Sequence, residues 1–257
     1  MTEKPKTSKR RADQYDDPDY NYRDYWQGRE YENASEELAI ARLLKGKKFK
    51  HAVDIGGGFG RLSLLLEDYA KKVTLAEPSA KQLKLASDYL KDHHNIEQMK
   101  LQADDLRFAD DSIDLILMVR VMHHLPDPSS EFKELARILS PDGFLILELA
   151  NYTHFRNRIK HSLKLKPFPK EPVSIRTNLK RSDDVAFVNH NPRTVIKQLS
   201  HEGLKVVKTL SVSNLRSPRL KAMLPVALML RGEKILQPRL AWFYFGPSVF
   251  LLVKKAK

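Results

Sequence analysis

The sequence predicts an α/β protein with a mostly parallel sheet and helices on both of its faces. Three observations carry that expectation. Short apolar runs at 51–55, 72–77, 113–119 and 144–150 read as buried strands. Helical stretches of about 10–15 residues separate several of them, the pattern of right-handed βαβ crossovers. The run at 113–119, Ile-Asp-Leu-Ile-Leu-Met-Val, is apolar enough to lie in the middle of a sheet.

Taken in order, residues 1–20 are charged and poor in aliphatic side chains, the composition of a disordered basic tail. Residues 21–49 form a separate N-terminal region. There Tyr20, Tyr22, Tyr25, Trp26 and Tyr31 precede a helix that Ser35 would cap and that Leu38, Ile40, Ala41 and Leu44 would bury. The main domain occupies 50–257. Its first strand, 51–55, leads to a helix at 61–70. A strand at 72–77 leads to a helix at 79–91, with Ser79 placed as its N-cap. A weaker strand spans 96–102, and the apolar strand 113–119 is followed by a helix at 130–139. The turn Ser140-Pro141-Asp142-Gly143 introduces the strand 144–150. The rhythm breaks at 151–191, which is basic and contains Pro167, Pro169 and Pro172, so this stretch reads as an insertion. It resumes with a helix at 194–202 and a strand at 205–212. A second insertion, 213–246, contains a helical stretch in two pieces around Pro225, and a last strand occupies 248–254.

Composition excludes several classes of function. The 257 residues include no cysteine, so disulfides, thiolate metal sites and cysteine nucleophiles are absent. The basic N-terminus lacks the apolar core of a secretory signal. No run approaches the ~18–20 apolar residues of a membrane span. The expectation is a cytoplasmic protein, with a peripheral membrane association open. The net charge of +13 is uneven: 1–150 carry 23 Lys and Arg against 27 Asp and Glu, whereas 151–257 carry 22 against 5. The basic half is therefore expected to face an anionic surface, membrane or RNA, with solubility as the plainer alternative. Met223, Leu224, Val226, Leu228, Met229 and Leu230 beside Arg216, Arg219, Lys221 and Arg231 describe an interfacial helix, a buried one or a dimer contact.

The segment Asp54-Ile55-Gly56-Gly57-Gly58-Phe59-Gly60 joins the first strand to a helix. Glycines there let the backbone approach a ligand, and the helix start adds unpaired N–H groups. A dinucleotide fingerprint has the spacing Gly-x-Gly-x-x-Gly. Gly56, Gly58 and Gly60 instead run Gly-x-Gly-x-Gly after an acidic residue, which argues against a nicotinamide dinucleotide and for a nucleoside ligand without pyrophosphate.

This loop resembles the first motif of the class I S-adenosylmethionine-dependent methyltransferases, and four further motifs follow in register. Glu77 matches the residue that holds the ribose hydroxyls, a task suited to a carboxylate because it accepts two hydrogen bonds. Asp104-Asp105-Leu106 matches the adenine loop, with Asp104 favoured as the acid that meets the base. Asp114-Leu115-Ile116 matches the fourth-strand motif, and His123-His124-Leu125-Pro126-Asp127 follows it as in the ubiquinone/menaquinone methyltransferase-like branch. Leu139-Ser140-Pro141-Asp142-Gly143-Phe144 matches the turn before the fifth strand. The resemblance implies a Rossmann-like, seven-stranded sheet with its last strand antiparallel, S-adenosylmethionine as cofactor and residues 21–49 as a lid. Arg29 would pair with the methionine carboxylate, and Tyr31 would cover the sulfonium.

Methyl transfer from a sulfonium depends mainly on alignment, so a base is required only when the acceptor must lose a proton. His123 and His124, just beyond the fourth strand, are the catalytic candidates; packing beneath the cofactor is the plainer role. Neither has a third ligand at metal-binding spacing, so no metal is expected. Asn151 and Tyr152, at the end of a strand, are the substrate candidates. The expected acceptor is a small molecule, anionic or lipid-like. The alternatives are an RNA methyltransferase, a protein that binds the cofactor without turnover, and a nicotinamide oxidoreductase. The oligomeric state is not read from the sequence.

Overall fold

The computed structural model describes residues 14–16, 22–175 and 187–256. In chain order they form α1 (Glu30–Leu43), β1 (Phe49–Ile55), α2 (Arg61–Leu66), β2 (Ala70–Ala76), α3 (Ala80–Tyr89), β3 (Ile96–Met99), β4 (Ile113–Met118), α4 (Ser129–Ile138) and β5 (Leu139–Ala150). There follow α5 (Phe155–Leu163), a two-stranded ribbon of β6 (Val173–Ser174) and β7 (Val188–Asn189), α6 (Pro192–His201), β8 (Leu204–Val212), α7 (Pro218–Met223), α8 (Val226–Arg239) and β9 (Ser248–Lys255).

The main sheet has seven strands in the order β3-β2-β1-β4-β5-β9-β8. The first five are parallel, and β9 runs antiparallel between β5 and β8. This is the Rossmann-like sheet that the motifs imply, with the last strand antiparallel.

Strand alternation explains why both faces are covered. On β4, Ile116 and Met118 point to the side packed by Phe132 and Leu135 of α4 and Val195 and Leu199 of α6. Leu115 and Leu117 point to the other side, with Ile40 and Leu43 of α1, Leu62 and Leu66 of α2 and Ala86 of α3. All four β4 side chains are fully buried, which is why the run carries no polar alternation. Strand order reverses between β1 and β4, and open sheets of this kind bind ligands in the crevice beyond the carboxyl ends of such strands.

Several expected details hold. The Ser79 hydroxyl caps α3 by accepting the Gln82 N–H at 3.1 Å, and two helices lie on either side of Pro225. Others need correction. The first helix begins at Glu30, so Ser35 is not its cap but a fully buried residue within it. The N-terminal tail is not wholly unstructured: Gln14–Asp16 form a turn, and the Asp16 carboxylate accepts the Ser79 hydroxyl at 2.6 Å. The rest of 1–20 lies outside the described residues. The insertion 151–191 contains α5 and the ribbon, with 176–186 outside the described residues. Within 213–246, α8 packs on α1 and buries Met229, Glu233 and Gln237. No helix of the described residues is long and apolar enough to cross a membrane.

Candidate functional site

The crevice at the β1–β4 switch point opens into a cavity of about 610 Å³, within the usual range for small-molecule sites. Gly56, Gly58, Glu77, Gln82 and Asp104 line it together with Arg120, Val121, His124 and Leu125 from beyond β4, and with Tyr15 and Tyr22.

The glycine loop is shaped from both sides. Gly56 takes φ +64°, and a Cβ there would meet Val121 Cγ2 at 2.5 Å, so an L side chain is strained by conformation and forces Val121 to shift. At Gly57 a Cβ would run into Leu75 and the Asp54 carboxylate. Gly60 starts α2 and packs on Leu90. Asp54 lies beneath the loop, is 1% exposed and accepts the Ser63 hydroxyl at 2.7 Å. Burial pushes its carboxyl up to about 6, against the opposing effects of Ser63 and Arg61.

Glu77, at the end of β2, is buried and clamps the loop: one carboxylate oxygen accepts the Gly58 N–H and the other the Ser79 N–H, both at 2.9 Å. Gln82 Oε1 is buried without a hydrogen-bond partner and lines the same cavity. A built acceptor with nothing to accept from marks a place for a ligand's donor. Asp104 lies at the mouth, whereas Asp105 points to solvent 3.9 Å from Arg107. Leu106 is buried and its N–H donates to Glu134 Oε1; the Asp105 N–H donates to the Gln102 carbonyl.

Arg29 and Tyr31 lie elsewhere. The Tyr31 hydroxyl donates to Glu233 Oε2 at 2.7 Å and accepts the Leu215 N–H, so it ties α1 to α8 inside the protein. The Arg29 guanidinium sits over the Tyr25 ring and lines a different cleft. That separation runs counter to the expected contacts with methionine carboxylate and sulfonium: α1 starts five residues earlier than expected, which turns Tyr31 into the core. Asn151 is also turned inward. Its Nδ2 donates to the Tyr244 and Gly246 carbonyls and its Oδ1 accepts from Thr153, which uses the whole amide. Tyr152 contacts His161 and does not line the cavity.

Of the paired histidines only His124 reaches the cavity, where its Nε2 lies 3.1 Å from the Tyr15 hydroxyl. Burial lowers its pKa to about 4, so it is neutral at pH 7. His123 sits behind it against Phe187, and burial, His124 and Arg120 hold it well below the ordinary histidine range.

Sequence reasoning passed over Arg120. It follows β4 in a left-handed conformation, φ +61°. Its N–H donates to Glu148 Oε2 at 3.0 Å, its Nε to Glu36 Oε1 at 2.8 Å and its Nη1 to the Tyr25 hydroxyl at 3.0 Å. Glu36 also pairs with Arg61 at 2.7 Å. The signal was present as a lone cation ending an apolar run, but its partners come from α1 and β5.

Residues 53–147 match a methyltransferase domain family. Over that segment the chain resembles the class I methyltransferases. The chain is 30% identical over 116 residues to a Bacillus subtilis protein named as an uncharacterised methyltransferase, covering 44% of this chain and 46% of that one. It is 32% identical over 109 residues to a ubiquinone/menaquinone biosynthesis C-methyltransferase of Hahella chejuensis, covering 40% and 44%. The chain thus spans about half the length of the curated relatives it matches. A crystal structure of an S-adenosylmethionine-dependent methyltransferase from Thermotoga maritima shares the fold, with a TM-score of 0.61, 22% identity and coverage of 92% of this chain and 94% of that one.

Proposed function

We propose that the cavity binds S-adenosylmethionine and that the protein transfers its methyl group to a small, anionic or lipid-like acceptor. The observation that carries this reading is the convergence of the glycine loop, Glu77, the unpartnered Gln82 Oε1 and Asp104 around one cavity at the switch point. The acidic and acceptor groups suit a cationic nucleoside rich in hydroxyl and amino donors. When bound, the cofactor supplies a methyl group already activated by its sulfonium. Glu77 and Gln82 accept its donors, Asp104 guards the open end, and Gly56 and Gly58 allow close backbone approach.

Beyond β4, Arg120 offers a fixed positive charge, and Val121 and Leu125 offer apolar surface. Tyr15 and Tyr22 exclude water. His124, neutral at pH 7 and with its Nε2 beside the Tyr15 hydroxyl, lines the cavity and is the candidate to take a proton from an acceptor hydroxyl. Alignment contributes most of the acceleration.

Calorimetry with S-adenosylmethionine, S-adenosylhomocysteine and NADH tests the binding step, and tighter NADH binding would favour an oxidoreductase. Incubation with methyl-labelled cofactor and a cell extract tests transfer. Label in a small organic or lipid fraction supports the proposed acceptor, label in RNA supports the RNA alternative, and cofactor binding with no label in any fraction indicates a binding protein.

A further inference from the structure

The helix α5 is amphipathic in the inverted sense. Phe155, Ile159 and Leu163 recur every fourth residue and form one stripe, yet that stripe faces solvent: they are 45%, 45% and 81% exposed. Asn157, Arg158 and His161 turn inward instead. Asn157 Nδ2 donates to the Tyr152 carbonyl at 2.7 Å, His161 packs on the Tyr152 ring, and the Arg158 guanidinium lies over Phe168. Just past the helix, Leu165 adopts a left-handed φ of +50° and is 93% exposed, so the chain accepts backbone strain without burying the side chain. At the other end Phe155 stacks on Phe245 with centroids 4.8 Å apart. Contacts through Phe243 then lead to Trp242, which is 80% exposed.

We propose that this face, α5 with Leu165 and Trp242, docks on an anionic lipid bilayer. Charge decides the occupant. Residues 151–170 contain no Asp or Glu, and the stripe is bordered by the exposed cations Arg156, Lys160 and Lys164. Long cationic side chains beside an apolar stripe reach back to lipid phosphates while their stems and the stripe enter the interface, and tryptophan favours that depth. A second copy of the chain would set these cations against themselves. RNA would pair with the cations but leave Ile159, Leu163 and Leu165 in water. No helix of the described residues is long and apolar enough to cross a membrane, and the proposed contact is with the bilayer surface. Because α5 follows the carboxyl end of β5, docking would turn the cavity-bearing edge of the sheet toward the bilayer.

The test uses the full chain and needs no turnover, so it is independent of the methyl-transfer reading. Flotation is measured with phosphatidylcholine vesicles, with and without one-third phosphatidylglycerol. The wild type is expected to float with the anionic vesicles at least about tenfold more tightly than with the neutral ones, and 0.5 M salt weakens that preference. Ile159→Glu combined with Leu163→Glu, both exposed and so compatible with an unchanged circular dichroism spectrum and Tm, is expected to lose at least about tenfold in vesicle affinity. Arg156→Gln with Lys160→Gln and Lys164→Gln should retain weak binding without the anionic preference. Trp242 fluorescence should shift to the blue on vesicles, and Trp242→Phe should abolish that shift. Absence of flotation with anionic vesicles overturns the proposal. So does flotation unaffected by the stripe variant, or a stripe variant whose only defect is in self-association or RNA binding.

Discussion

Replacing Glu36 by Gln removes one negative charge from between two guanidinium groups. Glu36 is 2% exposed; Arg61 Nη2 lies 2.7 Å and Arg120 Nη2 2.6 Å from its oxygens, and those side chains are 13% and 19% exposed. Breaking such a buried arrangement costs about 3–5 kcal/mol, because the remaining charges are left unpaired in a medium that solvates them poorly. Gln keeps one acceptor and both cations retain some water, so the lower end, about 3 kcal/mol, is expected. At about 2–4 °C per kcal/mol for a domain of this size, Tm should fall by roughly 10 °C. Urea unfolding at pH 7.5, followed by circular dichroism, gives the free energy directly. The sign with pH follows from the carboxyl. Burial raises its pKa, but the two guanidinium groups outweigh burial and hold it below its ordinary value of 4.5. Its contribution is therefore present above about pH 4.5 and is lost as pH falls through the folded value, so wild type and variant should converge in acid. A loss below about 1 kcal/mol, the size of an exposed ion pair, would refute the claim that this cluster is desolvated.

Tyr31→Phe should cost about 1–3 kcal/mol by leaving the Leu215 N–H without its acceptor and Glu233 with Asn214 as its remaining donor. S-adenosylmethionine affinity, measured by calorimetry, should stay within about twofold; a larger loss would return Tyr31 to the cofactor site. Asp54, raised to about 6 from an ordinary 3.8, contributes stability that is fully present below about pH 4 and lost as pH rises through 6. Asp54→Asn removes that dependence, so its stability relative to wild type should climb by about 2–3 kcal/mol between pH 4 and 7; a difference that does not change with pH would disprove the shift. Gly56→Ala, at φ +64° and 2.5 Å from Val121 Cγ2, should cost about 1–2 kcal/mol in denaturation and weaken cofactor binding more than tenfold. Unchanged binding would show that the loop can move without consequence.

The parallel core was legible because its signals are local. A strand buried on both faces must be apolar throughout, so 113–119 announced its central place, and Ser79 announced a helix start that its own hydroxyl caps. The glycine loop and Glu77 were legible for the same reason: positive φ and close packing leave few residue types available, and they lie at fixed distances along one βαβ unit. Arg29, Tyr31, Asn151 and Tyr152 were assigned to ligands from their position in the chain, yet for Tyr31 and Asn151 segments distant in sequence decide where they point. Tyr31 found Glu233 on α8, and Asn151 found the carbonyls before β9.

Conversely, the lone cation ending the apolar run did not by itself reveal the role of Arg120, which depends on Glu36 from α1 and Glu148 from β5 meeting it at the cavity. The exposed stripe of α5 was equally hidden. Its 3.6-residue periodicity is that of an ordinary core helix, and only packing shows that the apolar side was left outward. The sequence alone determined the sheet, its ligand loop and the uneven charge, since these follow from backbone conformation and composition. Only the tertiary structure decided which polar groups face the cavity and which apolar groups face solvent, because both depend on partners from other elements, from 28 to 202 residues away.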